Sequence, residues 1–309
     1  MKAAPIMASA PGSLMLLGEH AVLHGQPAIA CAVDARMQVR LQPLDEPRLE
    51  IHSALGQYNA PLDTLPPHDP LRFPLAAVRL HAAALPHGLR LEIHSSFSHT
   101  VGLASSAAVT VATIGALHAF MGHRPDPQRV LLDAVQVIRR VQGIGSGTDA
   151  AAAVYGGTVF YHADPPTARP LLATPPITVV YSGQKTPTVE VVRQLDARRA
   201  TDPDRFARLF TAIGNSVQEA AAAIAADDQA QLGAILDQNH AWMQEMGLST
   251  PALDEITAFL RAQPGIHGAK ISGSGLGDCA LGLGTADCSQ LPYETIPVTV
   301  SEQGLEVLP

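Results

Sequence analysis

Positive charge is scarce in this chain. Its only lysines are Lys2, Lys185 and Lys270, and 20 Lys and Arg face 28 Asp and Glu, for a formal net charge of −8. A nucleic-acid surface needs a basic stripe, and none is present. Bulk acidity does not exclude a phosphate ligand gripped by backbone amides. The three cysteines, Cys31, Cys279 and Cys288, are an odd set without CxxC spacing, which argues against a disulfide framework or a zinc ribbon and fits a reducing cytoplasm. No apolar run approaches the ~18 residues of a membrane span, and the start "MKAAPIMASAPGS" has no apolar block of the kind a signal peptide carries, so the expectation is a soluble, untargeted protein. The Gly-Lys-Ser/Thr ending of a P-loop, HExxH and the nucleophile elbow Gly-x-Ser-x-Gly are all missing, which removes the commonest hydrolase and nucleotide-binding signatures.

What the chain does have is apolar residues, 47% of the total against 16% charged, enough for a core and, by length, about two domains. Short apolar runs at 14–17, 28–33, 36–42 and 89–93 read as strands. The proline-rich stretch 54–74 reads as an irregular excursion before helical patterning resumes at "LAAVRLHAAAL". Helical spacing covers 105–121 and 127–142, and "GGTVFYH" returns to strand character. "ADPPTARP", 163–170, reads as a domain boundary, dividing 1–165 from 166–309. Beyond it come a strand "ITVVYSG", helices near 203–226, 228–246 and 251–263, and strands in "GAKISGS" and "CALGLG". Strands mixed with helices in this way imply an α+β protein. No repeat of fixed period occurs.

Three glycine-rich stretches stand apart from ordinary turns. "GLASSAAVT", 102–110, would set unpaired amides and two hydroxyls at a helix start, an arrangement that attracts anions. A helix capped by Ser105 accounts for the same residues equally well. "GIGSGTDAAAAVYGG", 143–157, places Asp149 in a flexible loop before a small-residue run, where a lone Asp is most often a cap or an Asx-turn. "KISGSGLGDC", 270–279, joins two strands through glycine.

Taken together, "APGSLMLLGEHAVLHGQPAIACAVD" (10–34), "GLASSAAVTVATIGAL" (102–117), "GSGTDAAAAVYGG" (145–157) and "GAKISGSGLGDCALGL" (268–283) resemble, in order and over nearly the whole chain, the motifs of the GHMP small-molecule kinases, with mevalonate kinases the nearest branch. "LGAILDQNHAWMQEMGLSTPALDEI", 232–256, resembles the helical segment before that family's last motif. The resemblance implies an N-terminal domain like ribosomal protein S5, a ferredoxin-like C-terminal domain, and ATP and a small-molecule substrate meeting between them. It implies that Gly102, Leu103, Ala104, Ser105, Ser106 and Ala107 form a phosphate loop, with Ser106 helping to hold Mg²⁺ and Ser146 near the phosphates. Asp149 matches the catalytic aspartate. Glu19, His20 and Ser272 match positions beside the substrate, though a buried His20 bonded to backbone is a close rival reading. Gly273, Gly275 and Gly277 would let the last loop lie against ligand. Relatives are often homodimers.

The chain departs from the pattern at two places. The lysine expected after "APG" is Ser13, and the glutamate that helps bind Mg²⁺ in mevalonate kinases, eleven positions before the aspartate, is Ile138. Lys185, Arg139 and Arg140 are the cations available to make up the loss, although a solvated helix face is the commoner home for the two arginines. "GSGTD" and "GDC" match phosphomevalonate kinases better, so the acceptor is mevalonate or phosphomevalonate, the "GEH" signature favouring mevalonate. A related decarboxylase and a non-catalytic ligand sensor on the same scaffold stay open as further readings.

Overall fold

The computed structural model describes residues 4–98, 101–171 and 176–308. Twelve strands and eight α-helices among them form two sheets with their helices. The first sheet runs β12(Glu306–Leu308), β1(Ile6–Leu17), β2(Ala28–Leu44), β5(Gly88–Ser95), β3(Arg48–Ser53), β4(Gly56–Pro61), and β6(Thr158–Ala163) pairs with both β2 and β7(Pro166–Leu171). Its pairings are antiparallel except β3 with β5. Helices α1(Arg72–His81), α2(Ser105–Phe120), α3(Pro127–Gln142) and α4(Thr148–Tyr155) pack on one face. The second sheet, β11(Glu294–Ile296), β8(Ile177–Tyr181), β10(Cys279–Gly284), β9(Ile266–Ser272), is antiparallel and carries α5(Thr188–Arg199), α6(Pro203–Ala225), α7(Gln229–Glu245) and α8(Pro251–Arg261). The α+β class expected from the sequence is present.

β1 explains why "LMLL" is apolar without alternation. Met15 enters the core under α1–α4, while Leu14 and Leu16 enter a second core shared with α6, α7 and the second sheet. A strand covered on both faces has no solvent side to mark with polar residues. α2 is likewise buried nearly all round, as its run of Ala, Val, Ile and Leu anticipates.

Several elements differ from the sequence reading. Residues 56–61, expected to be irregular, form β4: Gly56 takes φ +139° at the hairpin, and Pro61 ends an edge strand, where a missing N–H costs no ladder bond. The stretch 163–170 is a hairpin that extends the first sheet through Leu171, rather than a passage out of it at 165. Helix α5 was not anticipated. The C-terminal segment also returns to the first sheet. Ser301 N donates to Ala32 O (2.9 Å), Leu305 N to Val154 O (3.1 Å), and β12 pairs with β1. No helix among the described residues is long and apolar enough to cross a membrane.

Candidate active site

The three glycine-rich stretches and the "GEH" turn line one cleft of about 1650 Å³ between the two sheets. The turn after β1 needs glycine: Gly18 takes φ +96°, and a Cβ there would lie 2.6 Å from the Ala28 Cα. That turn delivers Glu19 and His20, both buried, to the cleft wall.

The first stretch opens α2. Its N-cap residue is Ala104 in left-handed conformation, with no side-chain capping bond. Capping by Ser105 therefore does not occur, and the leading amides of an uncapped helix are the ones available to an anion. Gly102, Ala104, Ser105, Ser106 and Ala107 line the cleft. Leu103 turns away into the second core, its carbonyl accepting from Ser13 N (3.2 Å).

Asp149 sits on the first turn of α4 rather than in a loop. The preceding Gly147 takes φ +92°, and a Cβ on it would meet the Tyr161 hydroxyl at 2.6 Å, the same hydroxyl that donates to Ser146 O (2.6 Å). Ser146 Oγ lies 3.0 Å from Thr148 Oγ1. Ser13 Oγ donates to Asp149 Oδ1 at 2.9 Å. Burial pushes the Asp149 carboxyl above the ordinary carboxylate range and Glu19 adds to the rise, while the Ser13 bond and Lys185 pull the other way.

His20 clasps the last glycine loop. Burial lowers its pKa, so the ring is neutral near pH 7 and Nε2–H donates to Ser274 O (2.8 Å). For that nitrogen the reading as a backbone-bonded buried histidine holds. Ser272 Oγ donates to Met15 O (3.1 Å), joining β9 to β1 inside the cleft wall.

Two residues that the sequence reading left without a role belong to this site. Lys270 on β9 is fully buried and its Nζ donates to Glu19 Oε1 and to the Ile271 carbonyl. Burial pushes the ammonium down from its ordinary value and Glu19 opposes that. Glu19 Oε2 is left buried without a partner. A lysine inside the apolar strand "GAKIS" was the available signal, since lysine is almost never fully buried unless paired. The second residue is Asp278, held at φ +72° after Gly277. Its carboxylate packs so closely on the Gly102 Cα that a Cβ there would lie 2.1 Å from Oδ1. Oδ1 has no partner, Oδ2 is 4.0 Å from Lys185 Nζ, and burial pushes the carboxyl up to about 6.

The cations divide as the helix pattern suggested. Lys185 and Arg72 line the cleft, the latter 2.9 Å from Asp69. Arg139 spends its guanidinium on the Gly145 and Ala163 carbonyls, and Arg139 and Arg140 are both exposed. Ile138 is a buried apolar residue whose side chain packs under Gly145. It offers no ligand atom.

A family model described as the GHMP kinases N terminal domain matches residues 72–157, and one described as GHMP kinases C terminal matches 220–287. The chain is 32% identical to mevalonate kinase of Archaeoglobus fulgidus over 280 residues, covering 90% of this chain and 92% of that one. It is 30% identical to mevalonate kinase of Pyrococcus furiosus over 298 residues, 90% of this chain and 89% of the relative. Among solved structures, a Lin0012 protein from Listeria innocua superposes with a TM-score of 0.88 at 21% identity, over 99% of both chains. The Methanococcus jannaschii mevalonate kinase gives 0.81 at 21% identity, over 97% of this chain and 99% of that one.

Proposed function

The chain belongs to the GHMP kinase family, and from that premise we propose that it transfers the γ-phosphoryl group of ATP to the hydroxyl of mevalonate, giving 5-phosphomevalonate. The observation that carries this reading is the placement of Asp149: a half-buried carboxylate, aligned by Ser13 at 2.9 Å, in the same cleft as the uncapped N-terminus of α2. Phosphoryl transfer asks a protein mainly for positioning and charge neutralisation. The amides at residues 104–106 and the α2 dipole serve the phosphates of ATP, with Ser146 beside them. The acceptor oxygen attacks γ-phosphorus as the bond to the ADP oxygen breaks, and the hydroxyl proton passes to Asp149. A carboxyl raised by burial suits a group that must take up a proton. Glu19 Oε2, buried and unpartnered, is the acceptor the cleft wall offers to an alcohol of the substrate, with Ser272 and His20 shaping the wall around it. Lys185, whose field reaches both Asp149 and Asp278, supplies the positive charge that Ser13 cannot.

The residues present fit a magnesium ion. Ser106 at the head of α2 and Asp278, with an orphaned carboxylate oxygen against Gly102, would hold it. Bound there, the ion neutralises charge on the nucleotide phosphates. An unphosphorylated acceptor is favoured because, among the described residues, Lys185 and Arg72 are the lysine and arginine that line the cleft, while Lys270 is fully buried and committed to Glu19. A coupled assay of ADP formation with mevalonate, with phosphomevalonate and without acceptor tests the proposal. ADP formation dependent on mevalonate supports it. Turnover with phosphomevalonate alone moves the assignment one substrate along, and no turnover with either acceptor overturns it.

A further inference from the structure

At the far end of α2 from the phosphate loop, three helices bring polar side chains together inside the core. His81 closes α1, His118 lies in the last turn of α2, and Asp133 projects from α3, with side-chain exposures of 10%, 7% and 4%. The two imidazoles meet edge to face, at 88° with centroids 5.2 Å apart. Their Nε2 atoms converge on one oxygen: His118 lies 3.0 Å and His81 3.5 Å from Asp133 Oδ2. These donor atoms all lie within 4.8 Å of one another, the one such group found among the described residues.

Hydrogen bonding accounts for only part of the cluster. His118 Nε2 has Asp133 Oδ2 as partner, and Arg129 Nε, from the exposed face of α3, reaches Oδ1 at 3.2 Å and donates to Oδ2 at 3.3 Å. His81 Nε2 is buried and has no hydrogen-bond partner. A nitrogen in that position is either an unpaired polar atom or a ligand. The spacing favours a ligand. In a tetrahedral zinc site with bonds of about 2.0–2.2 Å, neighbouring donor atoms stand about 3.3–3.6 Å apart; His81 lies on that edge at 3.5 Å from Oδ2 and His118 slightly inside it at 3.0 Å. Arg129, astride both oxygens, steadies the carboxylate from outside, as partners of ligating groups commonly do, and leaves lone pairs on each oxygen for an ion.

We infer that His81, His118 and Asp133 form a structural zinc site that staples α1, α2 and α3. Two imidazole nitrogens and one carboxylate oxygen are a donor set suited to Zn²⁺, with a water as fourth ligand. His118 is 13 residues from Ser105, about 20 Å along the axis of α2, so this ion is distinct from the one proposed beside Ser106 and supports the helix rather than the chemistry. The inference does not depend on the identity of the acceptor.

The test uses untagged full-length protein, stripped with chelator and titrated with ZnCl₂ alone by calorimetry, with CoCl₂ as a spectroscopic probe. Expected are one tight equivalent of Zn²⁺ per chain, a visible Co²⁺ absorption band of a four-coordinate site that zinc abolishes, and a rise in thermal midpoint of about 5 °C at 100-fold excess over Kd. His81→Gln should keep the fold and weaken zinc binding by ~100-fold or more. If wild-type protein binds no stoichiometric zinc, or if His81→Gln binds as tightly as wild type, the site does not exist. Should His81→Gln fail to fold, the wild-type zinc stoichiometry and cobalt spectrum decide alone: an octahedral, weakly absorbing cobalt complex overturns the inference.

Discussion

Ser13 and Asp149 are 136 positions apart in sequence, yet the serine hydroxyl donates a 2.9 Å hydrogen bond to the aspartate carboxylate. The serine belongs to β1 and the aspartate to the first turn of α4, two elements packed beneath the same cleft. A hydroxyl there stabilises the ionised carboxylate by a charge-assisted bond, where a lysine would add a full charge.

Removing that bond sets the first expectation. In Ser13→Ala the Asp149 carboxyl rises further, because only the ionised form gains from the hydroxyl. The acid limb of the kcat/KM profile should move to higher pH, with little change on the alkaline side. The stability effect runs the opposite way. A carboxyl raised above its unfolded value favours folding below the unfolded pKa, and that contribution fades as pH climbs through the folded pKa. An acid limb unmoved in Ser13→Ala would show that Asp149 is not the titrating base.

The buried pair of Lys270 and Glu19 separates structural from chemical roles. Lys270→Met strands a carboxylate in the core, and breaking a buried pair from one side costs about 3–5 kcal/mol. Combining it with Glu19→Leu should recover most of that loss in urea unfolding, since an apolar pair of similar volume is often neutral. Activity should stay low in the double variant because Oε2 is gone. Recovery of turnover along with stability would remove Glu19 from substrate binding.

Asp278→Asn keeps the shape of the side chain against Gly102 but removes its charge. The Mg²⁺ concentration for half-maximal rate should rise about tenfold or more, as loss of a group acting on the metal predicts. ATP binding without metal should be unchanged or tighter, since an anion has left the phosphate region. An unchanged Mg²⁺ dependence would leave Ser106 without this partner.

Lys185→Ala should lower kcat by about 10²-fold or more, the scale of losing one charge-stabilising donor. Arg139→Ala and Arg140→Ala should leave the rate within about twofold, since Arg139 does not line the cleft and is committed to two carbonyls, and Arg140 is solvated. Equal effects from all three would mean that the cleft draws on long-range charge rather than on Lys185.

Much of this site was readable because its parts are contiguous. Glycines at 102, 145–147 and 273–277 announce close approaches within short stretches, and each stretch ends in a helix or strand that its own pattern reveals. What escaped depends on pairing across the chain. Lys270 had no role in the sequence reading, and gains one because β9 turns it toward Glu19, 251 residues away. Asp278 acquires meaning from Gly102, which only the fold brings to it. Asp149 was read as a loop residue because two glycines precede it, yet Gly147 is the cap from which α4 starts. β4 was hidden by prolines that an edge strand tolerates, and β12 by its length of three residues.

The return of residues 301–308 to the first sheet has a consequence for biosynthesis. As a ribosome extends this polypeptide, the half that carries Gly102 and Asp149 emerges early, but the piece that closes its edge and covers Gly115 of α2 follows only after the whole second sheet has been made. The first half therefore reaches its finished form only after the second sheet has been made, which ties the maturation of one to that of the other.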